Sequence, residues 1–381
     1  MITRNITSLI EKTKKSVLIL GPRQVGKSTL IKSLKPELIV NFADQSQFLD
    51  YASDPAALKN ALEESNARTI FIDEVQRLPS LLNTIQYLLD ERKNLKFYLT
   101  GSSARKLKRG RANLLPGRVL SYQMGPFVSS ELNYQLDTKK GLELGFLPEI
   151  YLSEKTGDAK KNLLSYVSTY LKEEIQVEAV SRNLESFSRF LVAVVADVGL
   201  FVDYSKLAKR AKISRHACAR YFEVLEDTLV GYRIFSFADV LETADLVKHP
   251  KFYFFDPGIY NGMVRNFSSS VDRIGILSEQ LVYSQLLHSA HSMDKEIEIS
   301  TFRSRGGLEI DFICKLDSAV YAIEVKSSDH LEASDVSALN SFKSYYKQKH
   351  SAFIFHLGTK RRKLDGVWCL PWQEGLREIG L

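Results

Sequence analysis

Nine residues near the N-terminus have the types and spacing of a phosphate-binding loop. The pattern G-x-x-x-x-G-K-[ST] is matched at Gly21, Gly26, Lys27 and Ser28. Its glycines let the backbone curl so that N–H groups face a phosphate, which Lys27 reaches while the Ser28 hydroxyl binds Mg²⁺. The apolar run before the loop predicts a strand, and the run after it predicts a helix whose positive end faces the anion. The segment therefore predicts an ATP–Mg²⁺ site formed by Gly21, Pro22, Arg23, Gln24, Val25, Gly26, Lys27, Ser28 and Thr29.

An acidic pair at the end of a later apolar run supplies the other half of such a site. RTIFIDEVQRLPS (68–80) places Asp73 and Glu74 directly after strand-like residues. Asp73 would hold Mg²⁺ through water, and Glu74 would orient or deprotonate the attacking water. A surface Asp-Glu pair that caps the next helix is the alternative. With Lys27 and Glu74 as catalytic residues, the pair predicts ATP hydrolysis.

A third run, NLKFYLTGSS (94–103), ends in hydroxyl groups. Thr100, Ser102 or Ser103 could sense the γ-phosphate, and a helix N-cap at Ser102 or Ser103 is the equal alternative. LIVNFAD (38–44) and VLSYQMG (119–125) add two more apolar runs to this part of the chain. About five strands that alternate with helices predict a parallel sheet covered on both faces.

A second constellation lies in RGGLEIDFICKLDSAVYAIEVKSS (305–328). Residues 308–315 and 319–326 read as a hairpin with its turn centred on Asp317 and Ser318. Such a turn sets Asp311 opposite Glu324, and Lys326 shares their face. Two carboxylates on a largely buried sheet are costly without a cation between them. The spacing predicts a Mg²⁺ or Mn²⁺ site beside which Lys326 polarises a water or phosphate, as in nucleases, whereas a charged hairpin is the alternative.

The elements around this hairpin give the order α-β-β-β-α-β, with a first helix at 277–289 that offers Glu279. A strand at 298–305, a helix at 337–348 and a strand at 351–358 complete it. The order is similar to the PD-(D/E)xK nuclease fold, and its metal-site positions fall on Glu279, Asp311, Glu324 and Lys326. Because relatives of this fold can keep the acids only as a binding platform, phosphodiester cleavage is left open.

The middle of the chain has a basic helical pattern. Residues 204–237 read as helix, short turn, helix and strands, with Ser214 as the N-cap of a helix that presents Arg215, His216 and Arg220 outward. Residues 206–220 hold six Lys or Arg and no acid, as do residues 104–118. The pattern favours a winged helix that contacts DNA, and a lid or a subunit contact is the alternative.

Composition and charge narrow the class of protein and the kinds of partner that we expect. The chain has 381 residues and a formal charge of +7, which favours a polyanionic partner without separating DNA from RNA. Cys218, Cys314 and Cys369 lie too far apart to suggest a disulfide framework or a zinc site. The longest apolar run, at 190–201, is too short to cross a bilayer, and the N-terminus lacks the apolar core of a signal peptide. We expect a cytoplasmic protein without a membrane partner.

Several segments resemble a known family. GPRQVGKST, FIDEVQRLP, LTGSSARKL and LLPGRVLSYQMGPFVSSEL look like the AAA+-type ATPases of prokaryotes that carry a DUF4143 C-terminal region. FYFFDPGIYNGM (252–263) and EIDFICK with AIEVKSS resemble that region. The resemblance implies an AAA-like sheet, a winged-helix segment and a restriction-endonuclease-like C-terminal fold. It also implies an arginine supplied by a neighbouring subunit, for which Arg118 is the first candidate and Arg111 the second. A solvated or nucleic-acid-facing arginine is the alternative.

We therefore predict an α/β chain of three domains. These are a P-loop, AAA+-like parallel-sheet domain at 1–150, a helical winged-helix domain at 151–270 and a nuclease-like α/β domain at 271–381. The expected function is ATP-driven remodelling or processing of DNA by a homo-oligomer such as a ring, with Arg215, Arg220 and the stretches 104–118 and 206–220 in contact with DNA. The alternative is an ATP-controlled switch or scaffold that binds a protein partner and whose nuclease-like domain is inactive.

Overall fold

The computed structural model describes residues 2–102, 115–170, 184–237, 239 and 246–381. The chain divides into two compact units, of which the first holds Met1–Gly125 with Asp227–Leu229 and the second holds the rest. This division falls after Gly125, and the three predicted domains at 1–150, 151–270 and 271–381 stay a prediction. Helices at 138–144 and 148–151 lie in the second unit, where the Asn261 side chain donates hydrogen bonds to the Leu142 and Glu143 carbonyl oxygens.

The first unit is built on a five-stranded parallel sheet in the order β2-β3-β4-β1-β5. The strands are β1 (Ser16–Leu20), β2 (Leu38–Asn41), β3 (Thr69–Asp73), β4 (Lys96–Gly101) and β5 (Val119–Gln123). The helices are α1 (Ile6–Lys12), α2 (Lys27–Ser33), α3 (Gln45–Ser53), α4 (Ala57–Ser65) and α5 (Leu81–Glu91). Strands β1, β3 and β4 are apolar and almost wholly buried, as strands covered on both faces must be. The predicted parallel sheet is confirmed.

The order of these strands decides which loops meet. Parallel strands end at the same edge of a sheet, and β4 lies between β1 and β3. The loop after β1, the acidic pair after β3 and the hydroxyl groups that end β4 are therefore neighbours at that edge.

The second unit begins with helices that pack on one another. They are α6 (Thr138–Leu144), α7 (Pro148–Tyr151), α8 (Thr156–Ser165), α9 (Leu184–Val195), α10 (Tyr204–Ala211), α11 (Arg215–Asp227), α12 (Pro257–Val264) and α13 (Ile274–Ser292). A short antiparallel pair, β6 (Gly231–Ile234) and β7 (Lys251–Phe254), follows α11. Asp256 caps α12 by accepting a hydrogen bond from the Gly258 N–H, and Pro257 fits the first turn because it lacks an N–H.

A six-stranded mixed sheet closes the chain in the order β12-β13-β11-β10-β9-β8. Its elements are β8 (Ile297–Arg303), β9 (Glu309–Leu316), β10 (Ala319–Lys326), α14 (Ser337–Tyr345), β11 (Ser351–His356), β12 (Arg362–Leu364), β13 (Val367–Pro371) and α15 (Trp372–Glu378). The hairpin β9–β10 pairs Leu316 with Ala319 and Phe312 with Ile323. The pairing ends at Phe312 and Ile323, and the same register extended by one residue would set Asp311 opposite Glu324.

Helix α13 is buried along nearly its whole length and carries many polar side chains. These side chains bond to backbone groups of neighbouring segments; for example, the Gln280 amide pairs with both the N–H and the carbonyl of Phe254. Buried polar groups that are paired in this way fix one packing arrangement. No helix in the described part of the chain is long and apolar enough to cross a membrane. All three cysteines are buried and free.

Candidate functional sites

The phosphate-binding loop joins β1 to α2, as predicted. A Cβ atom at Gly21 would lie 2.0 Å from the Met124 carbonyl oxygen, so only glycine fits where the loop passes the end of β5. Gly26 has φ = 95°, a left-handed conformation that glycine adopts without strain. Lys27 begins α2 and is buried, and its ammonium donates hydrogen bonds to the carbonyl oxygens of Gly21 (2.8 Å) and Pro22 (2.7 Å). The lysine therefore holds the loop closed and lies at its centre.

Strands β3 and β4 bring three oxygen-bearing side chains to this loop. The Ser28 hydroxyl donates a hydrogen bond of 2.9 Å to Asp73 Oδ1, and the Thr100 hydroxyl donates to the same oxygen. Asp73 and Thr100 are buried. Hydroxyl and carboxylate oxygens are the ligands that Mg²⁺ prefers, and Ser28 with Asp73 thus form a donor set that fits this ion.

Glu74 follows Asp73 with φ = 58° and is linked to the end of β4 by Gln76. The buried Gln76 amide donates hydrogen bonds to the Glu74 carboxylate and, at 3.0 Å, to the Ser102 hydroxyl. Ser102 is therefore joined to the predicted catalytic carboxylate. Ser103, the other candidate, lies outside the described residues.

Arg4 is a component of the loop that the motif did not predict. Its guanidinium donates hydrogen bonds of 2.8 Å each to the carbonyl oxygens of Val25 and Gly125, and its side chain is buried. The arginine thereby links the phosphate-binding loop to the chain that follows β5. Because Arg4 lies 21 residues before Val25, no local spacing indicated this contact.

Arg118, the first candidate for an arginine acting in a neighbouring subunit, makes a two-point ion pair within its own unit. Its Nε and Nη2 atoms lie 2.7 and 3.0 Å from the two carboxylate oxygens of Asp90. Arg111 lies outside the described residues, as does most of the stretch 104–118. The role of either arginine in a second subunit stays a prediction.

The four predicted nuclease-like residues are placed on neighbouring elements of the second unit, and a fifth charged residue lies among them. Asp311 lies next to Phe312, where the pairing of β9 with β10 ends, and accepts a hydrogen bond from the Val325 N–H at 2.9 Å. Lys251, at the start of β7, lies 3.5 Å from Asp311, 3.5 Å from Glu279 and 2.9 Å from Glu309. We call Lys251, Glu279, Glu309, Asp311, Glu324 and Lys326 the carboxylate cluster.

Glu324 and Lys326 form the other half of this cluster. The Lys326 ammonium lies 3.0 Å from Glu324 Oε1 and 3.4 Å from Asp335 Oδ1, so the lysine pairs with acids on both sides. The second oxygen of Glu324 is buried and has no hydrogen-bond partner. The Tyr253 hydroxyl donates a hydrogen bond of 2.6 Å to Glu279.

Burial and mutual repulsion change the acidity of the cluster. Burial raises the pKa of Glu279 and of Glu324 above the ordinary value, and the charge of Asp311 raises both further. Burial also raises the pKa of Asp311, against the opposing charge of Lys251. For Lys251 burial alone would lower the pKa, but Glu279, Asp311 and Glu309 together raise it above its ordinary value. The lysine therefore carries its charge at neutral pH.

The arrangement fits a divalent ion less well than the spacing predicted. Among the described residues, no group of three His, Cys, Asp or Glu side chains could hold a metal ion as they stand. Glu279 and Asp311 each face the Lys251 ammonium, and Glu324 faces Lys326. The metal ligands Glu279, Asp311 and Glu324, and the choice of Mg²⁺ or Mn²⁺ there, stay predictions.

The basic helices α10 and α11 form a candidate nucleic-acid interface. Ser214 caps α11 by accepting a hydrogen bond from the Ala217 N–H at 3.1 Å, as predicted. Arg215, His216 and Arg220 are exposed. Of the six basic residues in 206–220, Arg210 is paired with Asp197. The antiparallel pair β6–β7 follows the two helices, and the winged helix stays a prediction.

Comparisons with known proteins agree with the motifs. A family model for an AAA domain matches residues 13–133, one for a domain of unknown function, DUF8612, matches 135–270, and one for DUF4143 matches 274–374. The AAA match covers the loop, Asp73, Glu74 and Ser102. The DUF4143 match covers all the acids of the carboxylate cluster, whereas Lys251 lies in the DUF8612 match.

Solved structures resemble the chain only distantly. The replication initiator DnaA bound to AMPPCP and single-stranded DNA is 13% identical, over 58% of this chain and 86% of that chain, with a TM-score of 0.27. A DNA replication initiation factor is 12% identical with the same coverage and a TM-score of 0.25. Protein VC1899 from Vibrio cholerae is 10% identical, over 95% of this chain and 96% of that chain, with a TM-score of 0.23. Scores this low carry no argument, whereas the family models find an AAA domain and a DUF4143 domain in this chain.

Proposed function

We propose that the protein hydrolyses ATP in its first unit, binds DNA through α10 and α11, and remodels or processes that DNA as a homo-oligomer. The observation that carries the ATPase half is the hydrogen bond between Ser28 and Asp73, 45 residues apart, beside the closed loop around Lys27. Lys27 would contact the β- and γ-phosphates, and Ser28 with Asp73 would hold Mg²⁺. Bound Mg²⁺ neutralises charge on the phosphates. Glu74 would orient the attacking water.

Two substitutions separate binding of ATP from its hydrolysis. Lys27→Ala removes the cation at the centre of the loop and should abolish binding of a fluorescent ATP analogue. Glu74→Gln keeps the shape of the side chain but not its basicity, and should lower turnover by about 100-fold or more while ATP still binds. Glu91→Gln, at an exposed acid that ends α5, is the matched control and should behave as wild type. Equal turnover in Glu74→Gln and wild type would reject the assignment of Glu74.

The DNA half is supported by the exposed cations of α10 and α11. Phosphate contacts by Arg215 and Arg220 would release counterions, so binding should weaken as salt rises. The Arg215→Ala/Arg220→Ala double variant should reduce the slope of log affinity against log salt by about 1–2. Lys343→Ala/Lys347→Ala, at two exposed lysines elsewhere in the second unit, is the control.

Fluorescence anisotropy with labelled duplex DNA, single-stranded DNA and RNA would measure these slopes. ATP turnover would be followed in parallel with each nucleic acid. If no nucleic acid binds or alters ATP turnover, the proposed DNA binding is wrong. An ATP-controlled switch that binds a protein partner then becomes the better hypothesis. If RNA alone acts, the same surface serves RNA.

The role of Arg118 in a second subunit can be tested against its partner in the structure. Arg118→Ala should lower ATP turnover if the arginine completes a neighbouring site, whereas Asp90→Ala frees the arginine and should not lower it. Analytical ultracentrifugation with and without ATP gives the oligomeric state. A monomer with full turnover would reject both the homo-oligomer and the role of Arg118.

A further inference from the structure

A lysine from outside the predicted nuclease motif lies inside the carboxylate cluster. Lys251 Nζ contacts Glu309 at 2.9 Å and both Glu279 and Asp311 at 3.5 Å. Glu279 and Asp311 are two of the three acids of this cluster that were predicted to bind a divalent ion. The ammonium therefore lies where that ion would have to share their oxygens.

Backbone pairing on both sides fixes the position of Lys251. The residue pairs with Ile234 across β6–β7, and an isolated bridge joins it to Phe201 on the other side. Its ammonium lies 5.4 Å from the centre of the Phe201 ring, and only 4% of its side chain is exposed. A side chain held in this way cannot turn into solvent to make room for a metal ion without loss of these contacts.

We propose that the Lys251 ammonium takes the place of the divalent ion, so that the carboxylate cluster is an ionic joint between β7, α13 and β9 and does not bind metal. The joint connects residues matched by DUF8612 to residues matched by DUF4143. In this arrangement the acids secure the packing of the two segments, and the domain serves as a binding platform without cleaving phosphodiesters.

The balance of charge supports this role. The cluster has four carboxyl groups, at Glu279, Glu309, Asp311 and Glu324, and Lys251 and Lys326 each pair with at least one of them. Arg303 lies 3.5 Å from Glu309 and adds a third cation. A divalent ion on the same oxygens would sit close to a fixed ammonium, and the repulsion between them in a buried site would oppose its binding.

Two contacts occupy oxygens that a metal would need. Glu279 Oε2 accepts a hydrogen bond from the Tyr253 hydroxyl, and Asp311 Oδ2 accepts one from the Val325 N–H. The second oxygen of Glu324 is buried and has no hydrogen-bond partner. Mg²⁺ and Mn²⁺ require several oxygen ligands, so these hydrogen bonds and the Lys251 contacts would compete with either ion for the same carboxylates.

Titration of the nucleotide-free protein with Mn²⁺ tests the proposal. Isothermal calorimetry and thermal unfolding would compare wild type with Asp311→Asn. Both proteins keep Ser28 and Asp73, so Mn²⁺ bound at the phosphate-binding loop contributes equally to both and drops out of their difference. We expect the two proteins to respond alike to Mn²⁺. One Mn²⁺ per chain bound by wild type and lost in Asp311→Asn would overturn the proposal, as would Mn²⁺-dependent DNA cleavage lost in the same variant.

Removal of the Lys251 ammonium should make the carboxylate oxygens of the cluster available to Mn²⁺. Without its ammonium the buried acids repel one another, so Lys251→Ala should lower Tm by roughly 6–20 °C, and Mn²⁺ should restore part of this loss. The Lys251→Ala/Asp311→Asn double variant should lose the Mn²⁺ effect. Lys315→Ala, at an exposed lysine paired with Asp239, is the control and should change little.

If Lys251→Ala does not fold, the comparison of wild type with Asp311→Asn still tests the proposal, because it does not need that variant. A stable Lys251→Ala that ignores Mn²⁺ and unfolds at the wild-type temperature would also overturn the proposal. The inference does not rest on the proposed function, since neither ATP hydrolysis nor DNA binding by α10 and α11 depends on this cluster.

Discussion

Arg4 should hold the phosphate-binding loop in the shape that binds ATP, although it precedes the motif. Its guanidinium bridges the Val25 and Gly125 carbonyl oxygens with two hydrogen bonds of 2.8 Å. Arg4→Ala removes both donors and leaves two carbonyl groups without these partners in a buried place. We expect the phosphate-binding loop to be less stable in this variant and its affinity for ATP to be lower.

The two Arg4 hydrogen bonds set the size of the expected loss of free energy. A hydrogen bond to a charged group contributes about 1.5–3 kcal/mol, so the pair is worth about 3–6 kcal/mol at most. Water that enters the space left by the side chain would satisfy part of the lost bonding, which reduces the expected loss to about 2–4 kcal/mol. Arg4→Lys can reach one of the two carbonyl groups and should lose about half as much.

Hydrogen exchange followed by mass spectrometry gives the local readout, because both tryptophans, Trp368 and Trp372, lie in the second unit and tryptophan fluorescence would not follow the first. Amides of residues 21–33 should exchange faster in Arg4→Ala, and the dissociation constant of an ATP analogue should rise by about 10-fold or more. Lys14→Ala, at an exposed lysine before β1, is the control. If Arg4→Ala exchanges and binds ATP as Lys14→Ala does, the reasoning is wrong.

Three further outcomes follow from single contacts. Gly21→Ala should abolish binding of the ATP analogue, since its Cβ would lie 2.0 Å from the Met124 carbonyl oxygen; wild-type affinity would contradict that clash. Gln76→Ala frees the Glu74 carboxylate and should raise basal ATP turnover by about 2–10-fold, whereas a fall would mean that Gln76 positions Glu74 for catalysis. Burial lowers the pKa of His291 from 6.5 to about 4, so the unfolded chain takes up the proton first as pH falls. The contribution of His291 to the free energy of unfolding should therefore drop by about 1–3 kcal/mol between pH 6.5 and 4, measured as the difference between wild type and His291→Gln in urea unfolding at each pH.

Local patterns in the sequence were enough for the phosphate-binding loop and for the hairpin. The loop motif lies within a few residues of chain, and alternating apolar residues mark its flanking strands. The register of β9 with β10 followed from the position of one turn, because an antiparallel pair is fixed once its turn is known. The sequence likewise determined that Ser214 caps α11, since capping joins residues only three positions apart.

Only the tertiary structure showed which distant residues complete each site. Lys251 meets Asp311 across 60 residues, and Arg4 meets Gly125 across 121. The spacing of residues along the chain does not indicate the partners of Lys251 and Arg4. These contacts depend on which strands become neighbours and not on the period of either strand. A run of apolar residues predicts that a strand is buried, but the same run fits several strand orders. The packing of β7 beside α13 and β9 places the Lys251 ammonium among the acids, and the spacing of the acids alone did not indicate this cation.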